Sequence, residues 1–112
     1  MAYSTFLNSN LTQAAKTANV LSGDVNEFVG QDSLVNIYAV SSASGVRVSV
    51  FADSDLAIED KEITTIGTTL NKSDHLFDSF PVSAGTRLSL FLRETNVAAT
   101  TDVITGVEVL PL

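Results

Sequence analysis

Aliphatic residues recur at every second position in three separate segments of this chain. The alternating positions are Val46, Val48 and Val50 in the first segment, Leu88, Leu90 and Leu92 in the second, and Val107 and Val109 in the third. A period of two places the side chains of each row on one face of an extended strand, whereas a helix would scatter them around its axis. The alternation therefore predicts β-strands with one buried face.

Residues 34–40 are apolar almost throughout, which is typical of a central strand covered on both faces. Shorter strand candidates are residues 19–22, 25–29, 63–69 and 75–80. Segment 41–45 is rich in serine and ends in glycine, and segment 95–102 bridges the last two long strands; both are predicted as hairpin connections. About seven or eight short strands at this spacing predict an all-β fold: a single antiparallel β-sandwich or small jelly roll.

The 112 residues suffice for one domain with its own core. Residues 1–17 differ from the remainder because they are polar, nearly uncharged and only sparsely apolar. We interpret them as an N-terminal arm, with room for one helical turn between Leu11 and Ala18. Residues 18–112 are predicted to form the β-sandwich domain.

The charge of the chain argues against two classes of partner. Thirteen acidic and six basic residues give a net charge of −7, and the six basic residues are spread singly. Nucleic-acid binding requires a basic footprint, so we expect no nucleic-acid partner. No run approaches the roughly 20 apolar residues of a membrane-spanning helix, and we expect neither a membrane partner nor a signal peptide.

The residues needed for catalysis are sparse. His75 is the only histidine, and its neighbours Ser73 and Asp74 are the candidates for a nucleophile–base pair with it. Adjacent residues of a strand point to opposite faces, so Asp74 is badly placed to orient His75. No serine stands in a glycine-flanked nucleophile elbow. We predict a protein that is not an enzyme and has no catalytic residue.

Metal ligands are equally few, because the chain has no cysteine and one histidine. The densest acidic cluster is Asp53 and Asp55 followed by Glu59 and Asp60. It fails the calcium-loop pattern of an EF-hand, which requires glycine where Ile58 stands. The cluster is interpreted as a solvated loop that opposes edge-to-edge association, with a calcium loop of another kind as the alternative. We predict no metal and no cofactor.

Aromatic residues allow two interpretations. Phe51 and Phe91 stand opposite the aliphatic rows of their own strands, and Tyr38 lies within the apolar segment. They form either a second packed layer or an apolar patch that another subunit covers. Since there is no tryptophan and only two tyrosines, a carbohydrate-binding platform is disfavoured.

Four features of the whole chain form a recurring combination. They are a Ser-, Asn- and Thr-rich arm at residues 1–17, a thiol-free sandwich core, a Pro- and Gly-containing entry into a late strand at residues 80–90, and an apolar end at residues 107–112. In this combination the chain resembles the small all-β virion proteins of tailed bacteriophages, in particular capsid decoration (cement) proteins.

The resemblance implies a non-enzymatic virion structural protein, made in the host cytoplasm and located on the capsid surface. Its partner would be a lattice of major capsid protein, bound by a homo-oligomer for which a trimer is favoured. We expect the arm to supply the interface through Tyr3, Phe6, Leu7 and Leu11, so that deleting residues 1–17 leaves a folded domain unable to bind.

Two alternatives stay open. The first is a carbohydrate- or receptor-binding β-sandwich module, with or without dependence on calcium. The second is a jelly-roll subunit that itself builds the shell.

Overall fold

The computed structural model describes residues 2–11, 17, 19–95 and 101–112. Within these residues it contains seven β-strands and no helix. The strands are β1 Ala2–Leu11, β2 Ser33–Ser41, β3 Val46–Ala52, β4 Asp55–Glu62, β5 Leu76–Val82, β6 Leu88–Glu94 and β7 Thr101–Pro111. All pairings between them are antiparallel, and they form two sheets. The predicted all-β sandwich is therefore confirmed.

The first sheet has four strands in the order β1-β7-β2-β5. The two central strands, β7 and β2, pair in an unbroken register from Ser33–Pro111 to Ser41–Val103. On the inner face, Ile37 lies opposite Val107. The apolar segment predicted as a central strand is therefore central.

The second sheet has three strands in the order β4-β3-β6. In β3 and β6 the two predicted aliphatic rows lie opposite each other, with Val48 paired to Leu92 and Val50 to Leu90. All four of these side chains are completely buried. The rows of both sheets meet in one hydrophobic core, as their period of two requires.

The free edge of β6 is covered by Thr17, Asn19 and Val20, which we call the edge segment. The N–H groups of Thr17 and Val20 donate to the carbonyl oxygens of Leu92 (3.0 Å) and Leu90 (2.9 Å). In return, the N–H groups of Leu92 and Leu90 donate to Oγ1 of Thr17 and Oδ1 of Asn19, both at 3.0 Å. Side-chain oxygens thus replace the carbonyl acceptors of a regular strand, and the edge of β6 is satisfied.

The predicted hairpin connections are wrong. Segment 41–45 joins β2 to β3, and segment 95–102 leads from β6 to β7, but in both cases the two strands belong to different sheets. The observed hairpin joins β3 to β4, with Ala52 paired to Asp55 across the two residues Asp53 and Ser54. Asp53 has φ of 57°, a left-handed conformation that aspartate tolerates better than most residues.

The prediction of a loop for the acidic segment is also wrong, because residues 55–62 form β4 at the edge of the second sheet. Two of the shorter strand candidates are turns instead. In the first, the N–H of Ser22 donates to the carbonyl oxygen of Asn19; in the second, the N–H of Glu27 donates to that of Asp24. Within residues 25–29, Phe28 makes an isolated bridge to Arg87; residues 63–69 are not a strand either, and there Ile66 makes an isolated bridge to Ser41.

Residues 2–11 of the segment interpreted as an arm form β1, which pairs with β7 from Ala2–Val109 to Leu11–Thr101. Most of the 11–18 stretch allotted to a helical turn lies outside the described residues. Because β1 is a full strand of the four-stranded sheet, deleting it would leave β7 as the new edge. A truncation of residues 1–17 therefore removes a paired strand, and the expectation that the remaining chain folds stays a prediction.

Candidate interaction surfaces

The outward face of β1 carries two of the predicted interface residues. Tyr3, Thr5 and Leu7 point away from the core, and the side chains of Tyr3 and Leu7 are 38% and 64% exposed. A groove of about 180 Å³ lies beside Leu7, and Gly67 and Ile104 contribute to its lining. Apolar exposure at a sheet edge is typical of a contact surface.

The other two predicted residues do not join that face. Phe6 points inward, where it packs against the core as a half-buried side chain. The side chain of Leu11 lies outside the described residues. The structure therefore brings Tyr3 and Leu7 to one surface and assigns Phe6 to the attachment of β1.

A polar cluster lies on the same outer face, around the buried carboxylate of Glu108 in β7. The hydroxyl of Tyr38 donates to Oε1 of Glu108 at 2.9 Å, and Nδ2 of Asn36 donates to the same oxygen at 3.3 Å. The ammonium group of Lys72 pairs with Oε2. The Tyr3 ring closes the cluster and meets the Tyr38 ring edge to face, with 5.8 Å between ring centroids. We call these five residues the Glu108 cluster.

The cluster shifts the pKa of its members in directions that its contacts explain. The hydrogen bond from Lys72, followed by those from Asn36 and Tyr38, holds the pKa of Glu108 below its usual range against the effect of burial. The same bond to Glu108 raises the pKa of Lys72. Burial raises the pKa of Tyr38 and of Tyr3. Glu108 and Lys72 are thus both charged near neutral pH.

Gly106 provides the space that the cluster needs. A Cβ atom at this position would lie 2.9 Å from the hydroxyl oxygen of Tyr3 and 3.0 Å from Cδ2 of Leu70. Such contacts are shorter than normal packing allows, so the absence of a side chain lets Tyr3 and Leu70 cover β7.

A second apolar surface, which we call the end surface, lies at one end of the sandwich. It consists of Val25, Phe28, Pro111 and Leu112, and three of these side chains are strongly exposed: Val25 (74%), Phe28 (61%) and Leu112 (79%). A groove of about 320 Å³, lined by Val25, Phe28 and Pro111, runs through it.

Arg87 lies beside the ring of Phe28. The guanidinium carbon of Arg87 lies 6.0 Å from the Phe28 ring centroid. Arg87 is in turn held by Glu27, with Nε and Nη2 at 2.9 and 2.8 Å from Oε2.

The remaining sequence candidates stand apart from these surfaces. Nδ1 of His75 accepts a hydrogen bond from the N–H of Asn71 at 2.9 Å, within a local turn. Oδ1 of Asp53 accepts from the N–H of Arg87 at 2.9 Å. Phe51 and Phe91 make an edge-to-face contact, with centroids 5.9 Å apart, on the outer face of the second sheet.

Among the described residues, no group of three or more His, Cys, Asp or Glu side chains is placed to hold a metal ion. In the same part of the chain, no helix is long and apolar enough to cross a membrane. No family model, curated protein or solved structure matches the chain.

Sequence reasoning missed both the Glu108 cluster and the end surface. Lys72 and Glu108 are 36 positions apart and belong to no local pattern. Val25 and Phe28 looked like strand residues, and the available signal was the surrounding Gly23, Asp24 and Gly30, which are typical of turns.

Proposed function

We propose that this protein is a non-enzymatic virion structural protein: a capsid decoration (cement) protein that binds and stabilises a lattice of major capsid protein at the capsid surface. The observation that carries the proposal is the end surface, which presents Val25, Phe28 and Leu112 to solvent at one end of the sandwich. Contiguous exposed apolar side chains rimmed by polar ones mark sites of protein contact.

The energetics of the end surface fit such a contact. Covering an apolar side chain of this size contributes about 1.5–3 kcal/mol. Phe28, with Arg87 beside its ring, is the largest exposed side chain of this surface and the natural anchor for a partner. A few such residues repeated over many copies would stabilise a shell without any chemical step.

The path of the chain gives further support. The edge segment pairs with β6 and can be counted with the second sheet. The first sheet then contains β1, β2, β5 and β7, and the second contains the edge segment, β3, β4 and β6. Along the chain, every connection except the β3–β4 hairpin crosses from one sheet to the other. Eight elements in two sheets connected in this manner resemble a small jelly roll, a fold used by viral capsid and lectin domains.

The proposal includes a homo-oligomer and a virion location, with no nucleic-acid or membrane partner. The net charge of −7 favours protein contacts over phosphate contacts.

The test is co-sedimentation of the purified protein with intact capsids of the phage that encodes it. We expect the wild-type protein to pellet with capsids and Phe28→Ser to bind at least about tenfold more weakly, since a buried aromatic anchor is lost. Leu56→Ser, which alters a 44% exposed side chain on β4, is the matched control and should bind normally.

Absence of binding by the wild-type protein, or equal binding by Phe28→Ser, would contradict the proposal. Closed particles formed by the protein alone would favour the shell-building subunit instead.

The second candidate function is a carbohydrate- or receptor-binding module, which the exposed Phe28 ring beside the 320 Å³ groove favours. Aromatic faces stack on sugars, and the Gln31 amide also lines this groove. Binding to a glycan array that is lost in Phe28→Ser would favour this function. Loss of binding with a chelator, or in Asp53→Asn, would assign it to a calcium site instead.

A further inference from the structure

Three of the four sheet edges are protected against pairing with another chain. The β6 edge is covered by the edge segment. β4 carries five charged residues among its eight and has an irregular register with β3. β5 contains Asp78 and Pro81, and Nζ of Lys61 binds the carbonyl oxygen of Phe77 at 2.9 Å. Charges, proline and covering segments are the devices by which proteins prevent edge pairing.

The β1 edge is less protected: among the described residues no segment covers it, and its register with β7 is regular from Ala2 to Asn8, with an irregularity only between Asn8 and Leu11. Its ten residues, Ala2–Leu11, include no charged residue and no proline. Its backbone pairs with β7 on one side. In an antiparallel strand every second residue directs its N–H and C=O away from the neighbour, so β1 presents a row of donors and acceptors on its other side. Among the described residues, no backbone group outside β7 takes them up.

The outward side chains of β1 are complementary to themselves. Tyr3, Thr5 and Leu7 form an exposed apolar, hydroxyl, apolar row. If two β1 strands pair antiparallel about Thr5, Tyr3 of each copy lies opposite Leu7 of the other, and the two Thr5 side chains face each other. Aromatic–aliphatic and Thr–Thr pairs stabilise adjacent strands, and a two-fold contact requires that one surface fit its own copy.

We propose that β1 pairs with β1 of a second copy of this chain, with Thr5 on the two-fold axis. The two four-stranded sheets then become one continuous sheet of eight strands, and the exposed Tyr3 and Leu7 side chains are covered. This contact closes after two copies, so it yields a dimer and not a trimer. The proposal is independent of the end surface and of any capsid.

The first test is sedimentation velocity of the full-length protein at physiological salt. We expect a dimer, and we expect Thr5→Glu and Thr5→Lys each to weaken it by at least about tenfold, because each places like charges opposite one another. An equimolar mixture of the two variants should restore dimers, since opposite charges then face each other. Leu76→Glu adds the same charge at an exposed site on β5, the opposite edge, and should remain dimeric.

The second test establishes the register by cross-linking, because the chain has no cysteine of its own. Under oxidation, Thr5→Cys should form a disulfide with itself, as residues directly opposite lie about 4.5–5.5 Å apart between Cβ atoms. Leu7→Cys should cross-link with Tyr3→Cys and not with itself, and Leu76→Cys should stay monomeric under denaturing conditions.

A wild-type protein that is monomeric or trimeric would overturn the proposal. A dimer that withstands both charged variants, or self-cross-linking of Leu7→Cys in place of Thr5→Cys, would overturn it as well. Circular dichroism of each variant verifies that loss of the dimer is not loss of the fold.

Discussion

The ammonium group of Lys72 lies 4.5 Å from the centroid of the Tyr3 ring. The same group pairs with the carboxylate of Glu108, whose side chain is almost completely buried. A residue in the 71–75 turn thereby connects the first strand of the chain to the last. This cation–π contact and this ion pair fix the 71–75 turn relative to β1.

Replacing Lys72 tests this connection. Lys72→Met keeps the apolar stem but leaves Glu108 with neutral donors only, so we expect a lower melting temperature and a higher pKa for Glu108. Lys72→Arg retains the charge, so its melting temperature and its Glu108 pKa should lie between those of the wild type and those of Lys72→Met. Thermal unfolding and an NMR titration of the Glu108 side-chain carbonyl carbon measure both effects; an unchanged Glu108 pKa in Lys72→Met would contradict the ion pair.

The pH dependence of stability follows from the same cluster. The folded-state pKa of Glu108 is depressed, so its stabilising contribution is present above its ordinary value of about 4.5 and is lost as pH falls through the folded value. Tyr38 and Lys72 have raised pKa values, so their contributions are present below pH 10 and are lost as pH rises through those values. We expect denaturant unfolding to show a plateau between these limits.

Glu108→Gln is the control for this profile. It should only partly reduce the loss of stability at acidic pH (the acidic limb), because Glu27 also contributes. The pKa of Glu27 is lowered first by the hydrogen bond from the N–H of Gly23 and then by Arg87. If the acidic limb of Glu108→Gln equals that of the wild type, Glu108 does not contribute to it.

Gly106 tests the packing beneath Tyr3. Gly106→Ala should cost about 1–3 kcal/mol, the usual range for overpacking, because Tyr3 and Leu70 must both move. Gly30→Ala is the matched control: nothing lies within 4 Å of the added Cβ, and the change should stay within about 0.5 kcal/mol. Equal effects of the two substitutions in chemical denaturation would contradict the close approach of Tyr3.

The strands with aliphatic rows could be predicted from the sequence. Leu88, Leu90 and Leu92 alternate without interruption, and all three are fully buried, so a local pattern was sufficient to place them. In β4 the pattern fails because bulges between Val48 and Phe51 of the partner strand shift the register, and only Ile58 is buried. The sequence of an exposed, charged edge strand is then indistinguishable from that of a loop.

The pairing of strands that are distant in sequence could not be predicted. β1 is stabilised by β7, about 100 positions further along the chain, and its own residues give only a weak alternation. Whether two consecutive strands form a hairpin or cross between sheets depends on such distant pairings, and for that reason the composition of segment 41–45 does not show that it connects two sheets. The Glu108 cluster and the end surface likewise depend on which loops the topology brings together.

The two faces of β1 should differ in what they contribute to stability. Phe6 packs against the core, so Phe6→Ala should cost about 2 kcal/mol, less than the full value for a completely buried phenylalanine. Leu7 is 64% exposed, and Leu7→Ala should change monomer stability by less than about 0.5 kcal/mol. Urea unfolding in the dilute, monomeric range measures both, and a reversed order would place β1 in the opposite register.

The edge segment offers a test of how β6 is protected. Thr17→Val preserves the shape of the side chain but removes the Oγ1 acceptor, which leaves the N–H of Leu92 without its partner at 3.0 Å. We expect a loss of about 1 kcal/mol, since a half-buried donor becomes unsatisfied, whereas Thr17→Ser keeps the oxygen and should lose less. Hydrogen exchange provides the local measurement: the Leu92 amide should exchange faster in Thr17→Val, while the Leu90 amide, bound to Asn19, keeps its protection. Equal acceleration of both amides would mean that the edge segment detaches as a unit and that Thr17 anchors all of it.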